Sequence, residues 1–151
     1  MSIRLLFLGD SIAAESTVGF VPITINVISR TFHLTADSFN SSVPSSNVLD
    51  LLDRAQQLLP LEIQPFTAAA IFVGINDSEM LAQFHESLVP LDLFSRRLLM
   101  LVERLERAGV LVALCGPDGV PPSVTGHSVI AEALPVSLAK LLETAGVDRG
   151  R

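Results

Sequence analysis

Three short apolar runs constrain the fold of this chain more than any other feature. They occupy residues 3–8 (IRLLFL), 68–73 (AAAIFV) and 110–115 (VLVALC), and each is followed by a glycine, Gly9, Gly74 and Gly116. Near-continuous apolar runs of this length are what strands look like when both faces of a sheet are covered, the usual state of a parallel sheet. Helical periodicity fills the intervals. Residues 48–59 place Leu49, Leu52, Ala55, Leu58 and Leu59 on one face. Residues 91–108 repeat Leu at helical spacing with Arg and Glu opposite, and end at Gly109 as a C-cap. Residues 125–145 form a further helix that would bend at Pro135 and end at Gly146. A weaker strand candidate spans residues 32–39 (FHLTADSF). Residues 20–30 read both ways: Ile23, Ile25 and Val27 alternate as in a strand, and Pro22 opposes a helix interior.

Strands alternating with helices predict a three-layer α/β/α domain with a mostly parallel sheet. Ligands in such sheets sit beyond the carboxyl ends of the strands. Three segments, GDS (residues 9–11), GIND (74–77) and DGV (118–120), each follow a predicted strand, so three loops converge on one edge of the sheet.

At 151 residues the chain makes one domain, expected over residues 1–146, with 147–151 as a frayed tail. A hydrophobic fraction of 49% excludes disorder. No uncharged apolar window reaches the roughly 18 residues of a membrane span. The run at residues 3–8 is too short for a signal-peptide core and leads straight into GDS, which favours a buried strand. The net charge of −6, without a basic cluster, argues against nucleic acid and anionic membranes as partners. The single cysteine, Cys115, excludes an intramolecular disulfide and fits a reducing, cytoplasmic setting. His33, His85 and His127 are scattered and no C-x-x-C or H-x-x-x-H spacing exists, so no metal is expected. With no GxxxxGK or GxGxxG segment, no cofactor is expected either.

Ser11 sits where the first strand ends and a helix can begin. It reads as a nucleophile at a helix N-terminus, or equally as a helix cap together with Asp10. Asn76 can supply an uncharged oxyanion donor through its amide, or can simply be a turn residue between Gly74 and Asp77. A third reading is a flavodoxin-like domain that binds a small anion at the Ser11 helix terminus.

Taken in order, four stretches resemble the blocks of the SGNH (GDSL-type) ester hydrolases, over nearly the whole chain. They are GDS at residues 9–11, NSSVPSSNVLDLLDR at 40–54, GIND at 74–77, and the segment 118–134 with Asp118, Gly119, Gly126, His127, Ile130 and Ala131. In the second block Asn40, Asp50, Leu51, Leu52 and Arg54 fit the family pattern. The resemblance implies a flavodoxin-like SGNH fold, a helix at residues 20–30, and attack of Ser11 on a small acyl ester. The oxyanion would be held by the Ser11 N–H, a backbone N–H at Ser45 and the Asn76 side chain, with Gly9, Asp10, Gly74 and Asp77 in support.

Departures fall at the chemistry. Ser42 and Ser45 stand where the family has glycines, and the general-base histidine, three residues after Asp118, is replaced by Pro121. Proline has no titratable group, and Asp118 then has nothing to orient. His127, one or two turns beyond Pro121, is the candidate substitute base, although family members carry a non-catalytic histidine there. His85 is a second candidate, and His33 reads as a surface or core residue. The chain also lacks a strand and helix that relatives carry before the last block. The strand from Val110 to Cys115 therefore becomes an open edge, expected to be covered by a second copy or another protein. The resemblance thus implies a serine ester hydrolase impaired by loss of its base, with a non-catalytic binding or assembly module as the alternative.

Overall fold

The computed structural model describes residues 2–14, 19–61, 65–74, 76–78, 80–81, 86–115 and 124–147. Strand β1 (Ser2–Gly9) leads into α1 (Ser11–Ala14), and α2 (Phe20–Phe32) is followed by β2 (Thr35–Asn40). Helix α3 (Val48–Leu58) runs into a 3-10 turn (Leu59–Leu61), then β3 (Ala68–Phe72). A two-residue ladder, β4 (Met80–Leu81) with β5 (Glu86–Ser87), precedes α4 (Leu91–Arg107), β6 (Leu111–Cys115) and α5 (Val124–Thr144). The main sheet is parallel throughout, in the order β2-β1-β3-β6.

Alternation along each strand builds two cores. Ile3, Leu5 and Phe7 of β1, with Ala68, Ala70 and Phe72 of β3, face α2 and α5. Leu6 and Leu8, with Ala69 and Ile71, face α3 and α4. Both sides of β1 and β3 are covered, which is why these strands read as continuous apolar runs. The result is the expected three-layer α/β/α domain. No helix among the described residues is long and apolar enough to cross a membrane.

The ambiguous segment at residues 20–30 is helical and extends to Phe32. Pro22 falls in the first turn, where its missing N–H has no intrahelical acceptor to lose. The strand expected from Phe32 therefore starts at Thr35. His33 closes α2 in the left-handed conformation at φ 51° and is exposed, so it is a helix cap at the surface. The buried face of α3 is rotated from the one expected: Val48, Leu51, Leu52 and Ala55 are buried, while Leu49 is 39% exposed. The β4–β5 ladder had no signal in the sequence. Val147, expected at the head of the frayed tail, is buried and donates its N–H to Leu142 O; residues 148–151 lie outside the described residues. Among the described residues β6 is the outermost strand on its side of the sheet, with Leu114 56% exposed.

Candidate functional site

The strand order fixes where a ligand can bind. From β1 the chain turns outward to β2, then crosses back to β3 on the other side of β1. That reversal opens a crevice between the carboxyl ends of β1 and β3. Ser11 lies on one lip, directly after β1, and Gly74 and Asn76 lie on the other, directly after β3. The two strand ends are unusually close. A Cβ on Gly9 would lie 2.9 Å from Phe72 Cβ and 3.1 Å from Ala13 Cβ, so glycine is what lets α1 start hard against β3.

Ser11 is exposed and opens α1, while Asp10 behind it is buried and its carbonyl accepts the Ala14 N–H at 3.1 Å. The described part of α1 is a single turn.

The loop from Ser41 to Asn47 is tied to this turn and to the strands. Ser41 N–H donates to Phe7 O at 2.9 Å and Val43 N–H to Gly9 O at 3.0 Å, prolonging the β1–β2 ladder. Asn40 donates through Nδ2 to Ala13 O at 2.6 Å and accepts the Ser42 N–H at 3.1 Å. Residues 43–46 form a turn closed by Ser46 N–H to Val43 O at 3.3 Å. Pro44 cannot take positive φ and Ser45 stands at φ +64°, which is the pattern of a type II turn. Ser45 thus holds the backbone conformation for which the family pattern has glycine. At Ser42, the other substituted glycine, the hydroxyl is buried with no hydrogen-bond partner among the described residues.

Both polar residues of the GIND segment grip this loop from the far lip. Asn76 Nδ2 donates to Ser46 O at 2.8 Å, leaving its second amide hydrogen uncommitted to that bond. Asp77 is buried, and its Oδ1 accepts the Val48 N–H at 2.8 Å at the start of α3. Its Oδ2 has no hydrogen-bond partner among the described residues. Burial raises the Asp77 pKa above the ordinary carboxylate value, more strongly than the backbone N–H groups around it lower it. Asn47 completes the entry to α3 with a capping box: its side chain accepts from Leu49 N–H and Asp50 N–H, and Asp50 accepts from Asn47 N–H.

Sequence reading gave Asn40 and Arg54 no role beyond fitting the second block, yet both anchor the loop. Arg54 donates to Ser41 O and to Ser46 Oγ. The N-x-x-D spacing of Asn47 and Asp50 was a legible cap signal; the Arg54 contacts had none, because the shape of the loop before α3 is set by its ties to β1 and to Asn76. Asp118, Pro121 and His85 fall outside the described residues, as does the side chain of His127 within α5.

No family profile and no curated protein matches the chain by sequence. Solved structures do match, over nearly all of it. TesA superimposes with a TM-score of 0.63 at 20% identity, covering 93% of this chain and 73% of that one. The psychrotrophic esterase EstA from Pseudoalteromonas sp., in a form inhibited by monoethylphosphonate, gives 0.58 at 19% identity over 96% and 74%. A protein from Parabacteroides merdae ATCC 43184, assigned as a GDSL-like lipase, gives 0.60 at 19% identity over 94% and 73%. The chain has an SGNH-hydrolase-like fold, in a divergent and shortened form.

Proposed function

We propose that this chain is a serine ester hydrolase of SGNH type that acts on small acyl esters and turns over slowly. The observation that carries the reading is the built loop between the end of β1, where Ser11 follows, and Asn76. Its Ser46 carbonyl is held by Asn76 Nδ2, and Ser45 keeps a positive φ despite its side chain. Ser45 thus keeps the backbone geometry that the family pattern assigns to a glycine beside the nucleophile. In this reading Ser11 Oγ attacks the ester carbonyl, and the negative charge that develops is met by the Ser11 and Ser45 N–H groups and the second Asn76 amide hydrogen. The esterases and lipases of similar fold support an ester as the substrate class.

The slow turnover follows from Pro121 at the position of the general base. Serine without a base is a poor nucleophile at neutral pH, and losing the base costs orders of magnitude in rate. His127 is the substitute base in this proposal, and Asp118 serves as a turn residue. Assembly of two copies across the β6 edge belongs to the same proposal; sedimentation over a dilution series that stays monomeric would remove it. Pro121 also favours the second reading, a non-catalytic SGNH-fold module.

Fluorophosphonate labelling separates the two. Intact mass and peptide mapping are expected to show one adduct, on Ser11, absent from Ser11→Ala. Folded protein that takes no adduct would leave the non-catalytic module.

A further inference from the structure

We propose that Arg54 is a positioning residue: its guanidinium straps the two ends of the Ser41–Asn47 loop together and so holds the Ser45 amide and Asn76 in register. Its chemical consequence rests on the hydrolase reading above; its geometric content does not. Arg54 lies seven residues into α3 from Asn47, two turns along the same face. Helical side chains lean toward the N-terminus, so a long side chain at this position reaches back over the first turn of α3 to the loop before it. There it donates to Ser41 O where the loop leaves β2 and to Ser46 Oγ where the loop enters α3. A planar fork of donors can serve two acceptors at once, which an ammonium on a flexible stem cannot do with fixed geometry.

What lies between the two tie points gives the strap its purpose. Ser45 is at φ +64°, a conformation that relaxes unless its surroundings hold it. Ser46 is shared: its hydroxyl takes Arg54 and its carbonyl takes Asn76 Nδ2. Releasing Arg54 therefore frees one end of the turn and slackens the hold on Asn76 together. Burial lowers the Arg54 pKa, against the Asp50 charge that raises it. An open cavity of about 420 Å³ borders Arg54, Ser45 and Ser46, large enough to admit a guanidinium ion if the side chain is removed.

The test compares wild type, Arg54→Ala and Arg54→Lys by fluorophosphonate labelling rate at Ser11 and by amide hydrogen exchange. Expected is labelling about 10- to 100-fold slower in both variants, the scale of a misplaced catalytic group. Exchange should rise in residues 41–47 but not in β1, β3 or the core of α4. Millimolar guanidinium chloride should restore part of the Arg54→Ala rate and none of the Arg54→Lys rate. A general loss of stability would raise exchange throughout and would not respond to guanidinium. If both variants label as fast as wild type with unchanged exchange, the proposal is overturned. If wild type itself takes no label, the hydrolase reading fails separately. The strap is then judged on exchange alone: selective loss of protection in residues 41–47 supports it, and unchanged protection overturns it. Arg54→Lys covers the case in which Arg54→Ala does not fold.

Discussion

Replacing Ser45 with glycine should make the protein more stable, the reverse of what most substitutions do. Ser45 sits at φ +64° in the third position of the 43–46 turn. Left-handed backbone costs a residue with a Cβ roughly 1–2 kcal/mol, and glycine almost nothing. Glycine gives back about 0.5–1 kcal/mol through the greater freedom of its unfolded chain. The Ser45 side chain is exposed and makes no hydrogen bond among the described residues, so no contact is lost. The balance is a gain of about 0.5–1 kcal/mol, or roughly 1–4 °C in Tm for a chain of this size. Urea unfolding of the Ser, Gly, Ala and Val forms at position 45 measures it. Ala should match Ser, and Val, whose branched Cβ fits this conformation worst, should lose more than 1 kcal/mol. If Gly is less stable than Ser by 1 kcal/mol, or Val equals Gly, the turn does not hold residue 45 left-handed and the account of the loop fails. Ser45→Gly should also label with fluorophosphonate at least as fast as wild type, because it restores the family's residue without moving an N–H.

Four further outcomes follow from the same geometry. Asp77 has a raised folded pKa, so its protonated form favours folding; that contribution is complete below the unfolded value of about 3.9 and is lost as pH rises through the folded pKa. Wild type should therefore gain stability relative to Asp77→Asn as pH falls from 7 towards 4, and a difference independent of pH in urea titrations would refute this. Gly9→Ala puts a Cβ 2.9 Å from Phe72 Cβ, which should cost about 1–3 kcal/mol; a neutral result would mean that β1 and β3 are not so close at their ends. Ser42→Ala removes a buried hydroxyl that has no partner among the described residues and should be neutral or stabilising by up to about 1 kcal/mol, whereas a comparable loss would reveal a partner for it. Burial pushes the Cys115 thiol up to about 12, so alkylation by iodoacetamide at pH 8 should be far slower in the folded protein than in urea; equal rates would contradict its packing at the end of β6.

Strands β1 and β3 were legible because burial on both faces leaves its mark on nearly every residue of a run, and β6 because its residues are apolar throughout; all three begin and end within a residue of the expected limits. Helix α4 and its stop at Gly109, at φ +77°, were equally local signals. Helix α2 was not, since Ile23, Ile25 and Val27 alternate as a strand does; Phe20, Thr24, Ile28 and Phe32 choose the helix by packing inward, and Ile23 and Val27 are left partly exposed. The rotation of α3 has the same origin, because Val48, Leu51, Leu52 and Ala55 are the residues that pack against β1, β3 and α4. Of the candidate site, the sequence marks Ser11, Ser45 and Asn76 by position in their blocks; that Ser45 stands at positive φ is seen only in the structure.

The sequence by itself therefore determined the layered architecture, strands β1, β3 and β6 and the loops after them that carry polar residues, since each is written in the pattern of a contiguous segment. Only the tertiary structure decided which groups hold which. Asn40 reaches Ala13, Asn76 reaches Ser46, Asp77 reaches Val48 and Arg54 spans its loop. Each bond joins residues 8 to 30 positions apart in the chain. Most of them cross between segments that meet only when β1, β2 and β3 are aligned side by side, and no local pattern of residues records that alignment.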